Sequence, residues 1–289
     1  MKIKNSLDLS ISIVSYNTKE LLIRCIKSIY KQTKGVKLEV IVVDNGSKDG
    51  TIKEILNIKY QISNIKLIQN KRNLFFTKAN NQALEVARGK YFLILNSDTY
   101  FVDNSLKKMV DYMEKNPDVG ACEGLEIYEN NKLVPTASKF SNPLIDFYEL
   151  SIVGSKFKNK KLIDSYRLVE YDRKDNFEID VGCDAFLLVR KEIMDKIGGY
   201  DERFFLFYTE NDLCLRIKKL GYRIVHVGNS KVMHRVSAST GKLGWRKMDL
   251  YYNDLLTYYK KHGFIVAGTA LFLLLNIEEF ILKLLKKND

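Results

Sequence analysis

"LSISIV" at 9–14, "TKELLIRCIKSIYKQ" at 18–32 and "LEVIVV" at 38–43 decide the fold. The first and third are β-branched runs of strand length, and the second repeats apolar residues at helical spacing through Leu22, Ile26 and Ile29. Two strands joined by a helix make a right-handed βαβ unit of a parallel sheet. The alternation continues with a strand at 65–70 ("IKLIQN"), a polar helix at 77–87 and a strand within "KYFLILNSD" at 90–98. The expected class is α/β, a mostly parallel central sheet flanked by helices. Such sheets bind ligands at the carboxyl ends of their strands, which singles out Asn17, Asp44 and Asp98, each just past a strand.

Beyond this core, "DNSLKKMVDYMEKNPDVG" (103–120) reads as a helix capped by Asp103 or Asn104 and ended by Asn-Pro. Residues 128–178 are less regular, hold two prolines and the basic run "SKFKNKK" (155–161), and read as a long excursion or a partly mobile one. Order resumes in "DVGCDAFLLVRKEIMDKIGGYDERFF" (180–205) as a strand, a short helix and a Gly-Gly turn.

A chain of 289 residues can bury a substantial core, as one large domain or two modest halves. Its 46% hydrophobic and 28% charged residues describe a folded protein rather than a disordered one. The net charge of +12 suits nucleic acid, an anionic membrane surface or phosphorylated substrates, and equally a surface simply rich in lysine. No helix-turn-helix, zinc or RNA-binding signature is present, so no nucleic acid is expected. Cys25, Cys122, Cys183 and Cys214 form no CxxC pair, which argues against a disulfide scaffold or a zinc knuckle and suits a reducing cytosol. The N-terminus lacks a long apolar run with a cleavage site, so a cytoplasmic location is expected. The first strand runs into "IVSYNTKELL" with no GxGxxG, against a dinucleotide-dependent oxidoreductase.

Several polar residues stand out. Asp44 opens "DNGSKDGT" (44–51), where it can accept from a nucleobase or a ribose hydroxyl, or satisfy its own turn. Asp98, in "LILNSDT" (93–99), suits a hard divalent cation that neutralises a diphosphate, or an Asx turn. His234, in "VMHRVSAST" (232–240), either reaches the same site or is structural. "YTENDLCLR" (208–216) starts a helix in which Thr209 is the expected N-cap and Asp212 completes a capping-box spacing. Glu210 then points elsewhere, since residues two apart do not share a helix face. The helix N-terminus is expected to favour its ionised form. At the C-terminus, "FIVAGTALFLLL" (264–275) falls short of the roughly twenty residues of a bilayer span. It continues through Ile277, Phe280, Ile281, Leu284 and Leu285 beside Lys283, Lys286 and Lys287. That pattern fits an interfacial helix on an anionic membrane, or packing on the protein's own core or a homodimer partner.

Taken in order, "ISIVSYN", "VIVVDNGSKDGT", "NKRNLFFTKANNQAL", "YFLILNSDT", "GCDAFLLVRKEIMDKIGGYDERFFLF", "ENDLCLRIKKLGYRIVHV" and "HRVSAST" resemble an inverting family-2 glycosyltransferase of GT-A fold, in its rhamnosyltransferase-like branch. The resemblance implies a sugar, rhamnose or another hexose, moved from a dTDP-, UDP- or GDP-linked donor. The acceptor would be a saccharide or lipid-linked hydroxyl in cell-surface polysaccharide synthesis, placing the enzyme on the inner face of the membrane. It implies that Asp44 contacts the nucleobase, with Ser15, Asn17, Asn73 and Lys78 also on the nucleotide side. Asn96-Ser97-Asp98 takes the place of the DxD motif, so Asp98 would bind Mg²⁺ or Mn²⁺ and His234 would add a metal or diphosphate contact. Asp184 falls at an acceptor-side or sugar-contacting position, and Glu210 at the catalytic base, with Asp212 two residues on as the other candidate catalytic carboxylate. Residues 1–102 would form the nucleotide-sugar half, 103–240 the acceptor half with its excursion over the acceptor side, and 241–289 C-terminal helices. Three motifs depart from the pattern: Asn96 stands for an acid, Phe75 for the glycine of "NxGF", and Thr209-Glu210 for Glu-Asp. The alternatives are a non-catalytic relative that binds nucleotide sugars and a basic nucleic-acid-binding protein.

Overall fold

The protein is described by a computed structural model of residues 7–235 and 246–285. Residues 236–240, the end of the last motif, and Lys286 and Lys287 lie outside these residues. Strands and helices alternate through β1 (Leu7–Ser15), α1 (Lys19–Gln32), β2 (Leu38–Asp44), α2 (Thr51–Gln61), β3 (Ile65–Gln69), α3 (Phe75–Val86) and β4 (Gly89–Asn96). There follow β5 (Thr99–Tyr100), α4 (Ser105–Lys115), β6 (Val119–Ile127), and three short helices, α5 (Pro143–Leu150), α6 (Ile152–Lys156) and α7 (Lys160–Tyr166). The chain then forms β7 (Asn176–Ile179), β8 (Phe186–Arg190), α8 (Lys191–Ile197), α9 (Thr209–Lys219) and β9 (Arg223–His234). It ends in α10 (Arg246–Lys261) and α11 (Ile265–Leu285).

All nine strands join one sheet in the order β3-β2-β1-β4-β8-β6-β9-β5, with β7 paired to β9. β1, β2, β3 and β4 are parallel, and β8 is inserted antiparallel between β4 and β6, so β6 and β9 again run with β1. Helices cover both faces. On β2, Val40 and Val42 belong to the core on the face covered by α1, α2 and α4, while Ile41 and Val43 belong to the core on the face covered by α3, α8 and α9. Burial on both faces is why these strands read as unbroken apolar runs. A third cluster, built on Phe204, Tyr208, Leu255, Tyr259, Leu271 and Leu275, holds α10 and α11 together.

Three expectations need correction. The excursion after β6 lacks helix and strand over 128–142 and 167–175 but is regular between them, where α5, α6 and α7 each start at a side-chain cap: Asn142, Ser151 and Asn159 accept from backbone amides of the first turn. Thr209 does not cap α9. It is the first helical residue, and the cap position is Tyr208, held at φ 55° with no side-chain cap bond. The C-terminal run falls short of a bilayer span only when counted to residue 275: with the continuation read from the sequence it forms one 21-residue helix, long and apolar enough by length and composition to cross a membrane.

Candidate active site

Two cavities meet at the start of α9, and both are lined by Cys183 and Glu210. The first, of about 270 Å³, lies at the carboxyl ends of β1 and β4. Asn73, Asn96, Ser97, Asp98 and Asp184 line it with Glu210, and Tyr16, Asn45, Phe75, Phe76, Leu206 and Phe207 complete the wall. The second, of about 350 Å³, is lined by Glu126, Thr136, Glu149, Tyr166, Arg167, Asn211 and His234, among others. Ser15, Asn17, Asp44, Lys78 and Asp212 line neither.

Ser15 and Asn17 support the floor and the loops beside the first cavity. Ser15 Oγ meets Thr18 Oγ1 at 3.0 Å, which meets Ser97 Oγ at 3.0 Å. Asn17, at φ 55°, accepts from Lys48 N at 2.8 Å through its side chain. One oxygen of Asp44 closes a turn on Gly46 N and Ser47 N, while the other is buried with no hydrogen-bond partner among the described residues. Asn73 Oδ1 accepts from Phe75 N at 2.8 Å. Phe75 sits at φ 64°, the left-handed region that glycine adopts without strain, and its ring meets Phe205 at 5.0 Å between centroids. Lys78 turns outward, 3.8 Å from Glu202 on the surface.

The tips of β4 and β9 bring Asp98 and His234 together. His234 Nε2 lies 3.2 Å from Asp98 Oδ1, and its Nδ1 lies 2.5 Å from Glu126 Oε2. Burial works against a charged ring here, but the Asp98 and Glu126 carboxylates outweigh it and push His234 up to about 10. In that charged form Nε2 carries a proton toward Asp98, so a cation bound between the two would have to replace that proton, with Glu126 behind Nδ1 as the usual carboxylate support of a metal-binding histidine. The donor set fits Mg²⁺ or Mn²⁺ on those grounds. Among the described residues no group of three or more His, Cys, Asp or Glu is placed to hold a metal ion by itself. Glu126 was not singled out from the sequence. Its signal was a glutamate inside a fully buried strand, since a buried carboxylate demands a partner.

On the opposite wall, Asp184 accepts from Tyr200 Oη and Thr209 Oγ1, both at 2.7 Å. Thr209 Oγ1 is also 3.0 Å from Glu210 Oε2. Burial, then the nearby Glu210 charge, raises Asp184 above the ordinary carboxylate range. Glu210 is raised too, chiefly by burial. The helix N-terminus was expected to favour its ionised form, but here desolvation outweighs that effect. Asp212 faces away from both cavities and binds Arg216 Nε (2.8 Å), Lys261 Nζ (2.6 Å) and His262 Nε2 (2.9 Å), locking α9 to the end of α10. Burial alone would raise its carboxyl, but His262, Arg216 and Lys261 hold it below the ordinary value. Asp254 of α10, buried, accepts the backbone amides of Phe205, Leu206 and Phe207 and so fixes the loop leading into Glu210.

The architecture is shared with solved enzymes. A mannosyltransferase from Pyrobaculum calidifontis, in complex with GDP-Man and Mn²⁺, superposes with a TM-score of 0.59 at 18% identity, over 93% of this chain and 70% of that one. The fold is therefore that of the GT-A glycosyltransferases. Residues 10–198 match the family described as Glycosyl transferase family 2, and the chain belongs to that family. It is 26% identical over 218 residues to an N-acetylglucosaminyl-diphospho-decaprenol L-rhamnosyltransferase of Mycobacterium tuberculosis, covering 71% of this chain and 69% of the relative. It is also 27% identical to an uncharacterized glycosyltransferase of Methanocaldococcus jannaschii, across 96% of this chain and 91% of that protein.

Proposed function

We propose that the protein is an inverting, metal-dependent glycosyltransferase, with a nucleoside-diphosphate sugar in the first cavity and a saccharide acceptor in the second. The observation that carries this reading is Glu210, the one predicted site residue that lines both cavities. A base must reach the acceptor hydroxyl while facing the anomeric carbon, and a carboxylate on a shared wall meets both demands. Its raised proton affinity suits a base working near neutral pH.

On the donor side, Asn73 and Asn45 on the cavity wall would meet the nucleobase, and the buried Asp44 oxygen that has no hydrogen-bond partner among the described residues would join them only once its turn at Gly46 and Ser47 opens. Asp98 and His234 would hold Mg²⁺ or Mn²⁺, which supplies positive charge to the departing diphosphate. Asn96, where the family pattern has an acid, offers a neutral carbonyl beside it. Asp184, held by Tyr200 and Thr209, faces the sugar. As the acceptor oxygen bonds to the anomeric carbon, its proton passes to Glu210 and the nucleoside diphosphate leaves from the opposite face. One displacement inverts the configuration.

The Mycobacterium tuberculosis relative is named for a lipid-diphosphate-linked acceptor and a rhamnosyl group. The same classes are proposed here: rhamnose or another hexose, from a dTDP-, UDP- or GDP-linked donor, onto a lipid-linked saccharide at the cytoplasmic face of the membrane. Thermal stabilisation by a panel of nucleoside diphosphates with Mn²⁺ tests the donor half, because a ligand bound to the native state raises its stability. Sugar release from the matching donor, dependent on a saccharide-diphosphate lipid, tests the whole. No stabilisation by any nucleoside diphosphate refutes the reading.

A further inference from the structure

α11 is built inside out. Its two acidic residues, Glu278 and Glu279, are buried, whereas Val266, Leu273, Ile277, Phe280, Ile281 and Leu284 are exposed. Spacings of three, four and seven residues place those six on one side of the helix. A helix resting on a soluble protein ordinarily turns its charged side to water. Here Glu278 is used inward, accepting from Ser151 Oγ (2.8 Å), Ile152 N (2.8 Å) and Val153 N (2.9 Å), while Glu279 pairs at 2.6 Å with Lys283 one turn along the helix. Those bonds fasten the start of α6 to α11 and set the exposed side chains of Ile152 and Val153 beside it. Phe157 follows, 70% exposed. Residues 152–162 carry Lys156, Lys158, Lys160 and Lys161 and no acidic residue. Lys156 and Lys161 have no ion-pair partner among the described residues.

We propose that the outer side of α11 and the α6 segment form one face that docks on an anionic bilayer. The apolar side chains enter the interfacial layer and the lysines meet lipid phosphates. The inner side of α11 is fixed to the protein through Glu278, Leu271 and Leu275, so the helix lies along the surface rather than across it. A second copy of the chain is the poorer occupant. A two-fold contact sets each patch against itself, and the same lysine-rich segment would then meet its own like charge. Glu149, Tyr166 and Arg167, from the α5–α7 segment, line the second cavity. Docking thus brings that cavity to the headgroups, a corollary that rests on the acceptor reading above.

The test is flotation of the full chain with vesicles of phosphatidylcholine, alone or with phosphatidylglycerol at about one part in three, without sugar donor. Wild type should float with the anionic vesicles and be released by high salt. Ile277→Glu combined with Phe280→Glu should weaken vesicle binding about tenfold or more, and Phe157→Glu should weaken it independently. All three positions are exposed, so unchanged circular dichroism is expected. Absence of wild-type flotation, flotation indifferent to the glutamates, or a solution dimer that the double variant dissociates each overturns the proposal. Because no donor is present, these outcomes do not depend on whether the protein transfers sugar.

Discussion

Thr209 Oγ1 stands 2.7 Å from Asp184 Oδ2 and 3.0 Å from Glu210 Oε2. A hydroxyl has one hydrogen and cannot donate to two ionised carboxylates at once, so the pair is most stable when it holds a proton between its two members. The residue that takes the place of the family's glutamate thus couples the proposed base to the sugar-side acid.

Glu210→Gln keeps the shape of this wall and removes the proton acceptor. Transfer should fall by about 10²–10⁴-fold while stabilisation by nucleoside diphosphate is unchanged. Single-turnover kinetics beside a thermal-shift titration separate the two, and a Gln variant as active as wild type would remove Glu210 from the mechanism.

The pH profile follows from the raised affinities of Glu210 and Asp184. The base must be ionised, so kcat/KM should fall as pH drops through a value above the ordinary glutamate value of about 4.3. Asp184→Asn removes the neighbouring negative charge and should move that acid limb to lower pH. A limb that stays in place in the Asn variant rules out the coupling.

Glu126→Gln leaves His234 with a weaker partner on Nδ1 while Asp98 is untouched. Affinity for Mn²⁺, followed by electron paramagnetic resonance, should drop by about 10–100-fold. Asp98→Ala should cost more, and full metal binding in both variants would place the cation elsewhere.

Phe75 offers a stability test of its backbone. In an ordinary helical position alanine is more stable than glycine by about 1 kcal/mol. At φ 64° the order should reverse, with Phe75→Gly more stable than Phe75→Ala by about 1 kcal/mol in chemical denaturation.

Asp212→Asn removes the carboxylate on which Arg216, Lys261 and His262 converge, and should cost about 3 kcal/mol of stability with nucleotide binding retained. Its folded affinity for a proton is lowered. The stabilisation is therefore full above the unfolded value and lost as pH falls through the lower, folded one. An Asn variant that is stable but inactive would mean that Asp212, not Glu210, is the base.

β2 and β4 were legible because strands buried on both faces leave continuous apolar runs, and β1 and β3 because their β-branched residues alternate with polar ones at strand length. The antiparallel insertion of β8 was not, since pairing across the sheet is decided by contacts far apart in sequence. α5 to α7 are too short for apolar periodicity to show, although Asn142, Ser151 and Asn159 announce each start. Asn73, Asn96, Asp98, Asp184 and Glu210 could be placed near one cavity from strand ends and motif order. The second cavity could not, because β6, α5, α7 and β9 reach it from different parts of the chain. The capping reading of Thr209 failed where its hydroxyl found carboxylates in place of backbone amides.

The grip of Asp254 on the amides of residues 205–207 sets a limit on how the chain can be recombined. The family match ends at residue 198, which would tempt a designer to graft another donor half at that boundary or to trim the chain after β9. A cut after β9 leaves three backbone amides without their acceptor and Asp212 without Lys261 and His262, loosening Glu210 from two directions. A working chimera has to inherit the loop before α9, α9 itself and α10 as one exchangeable cassette.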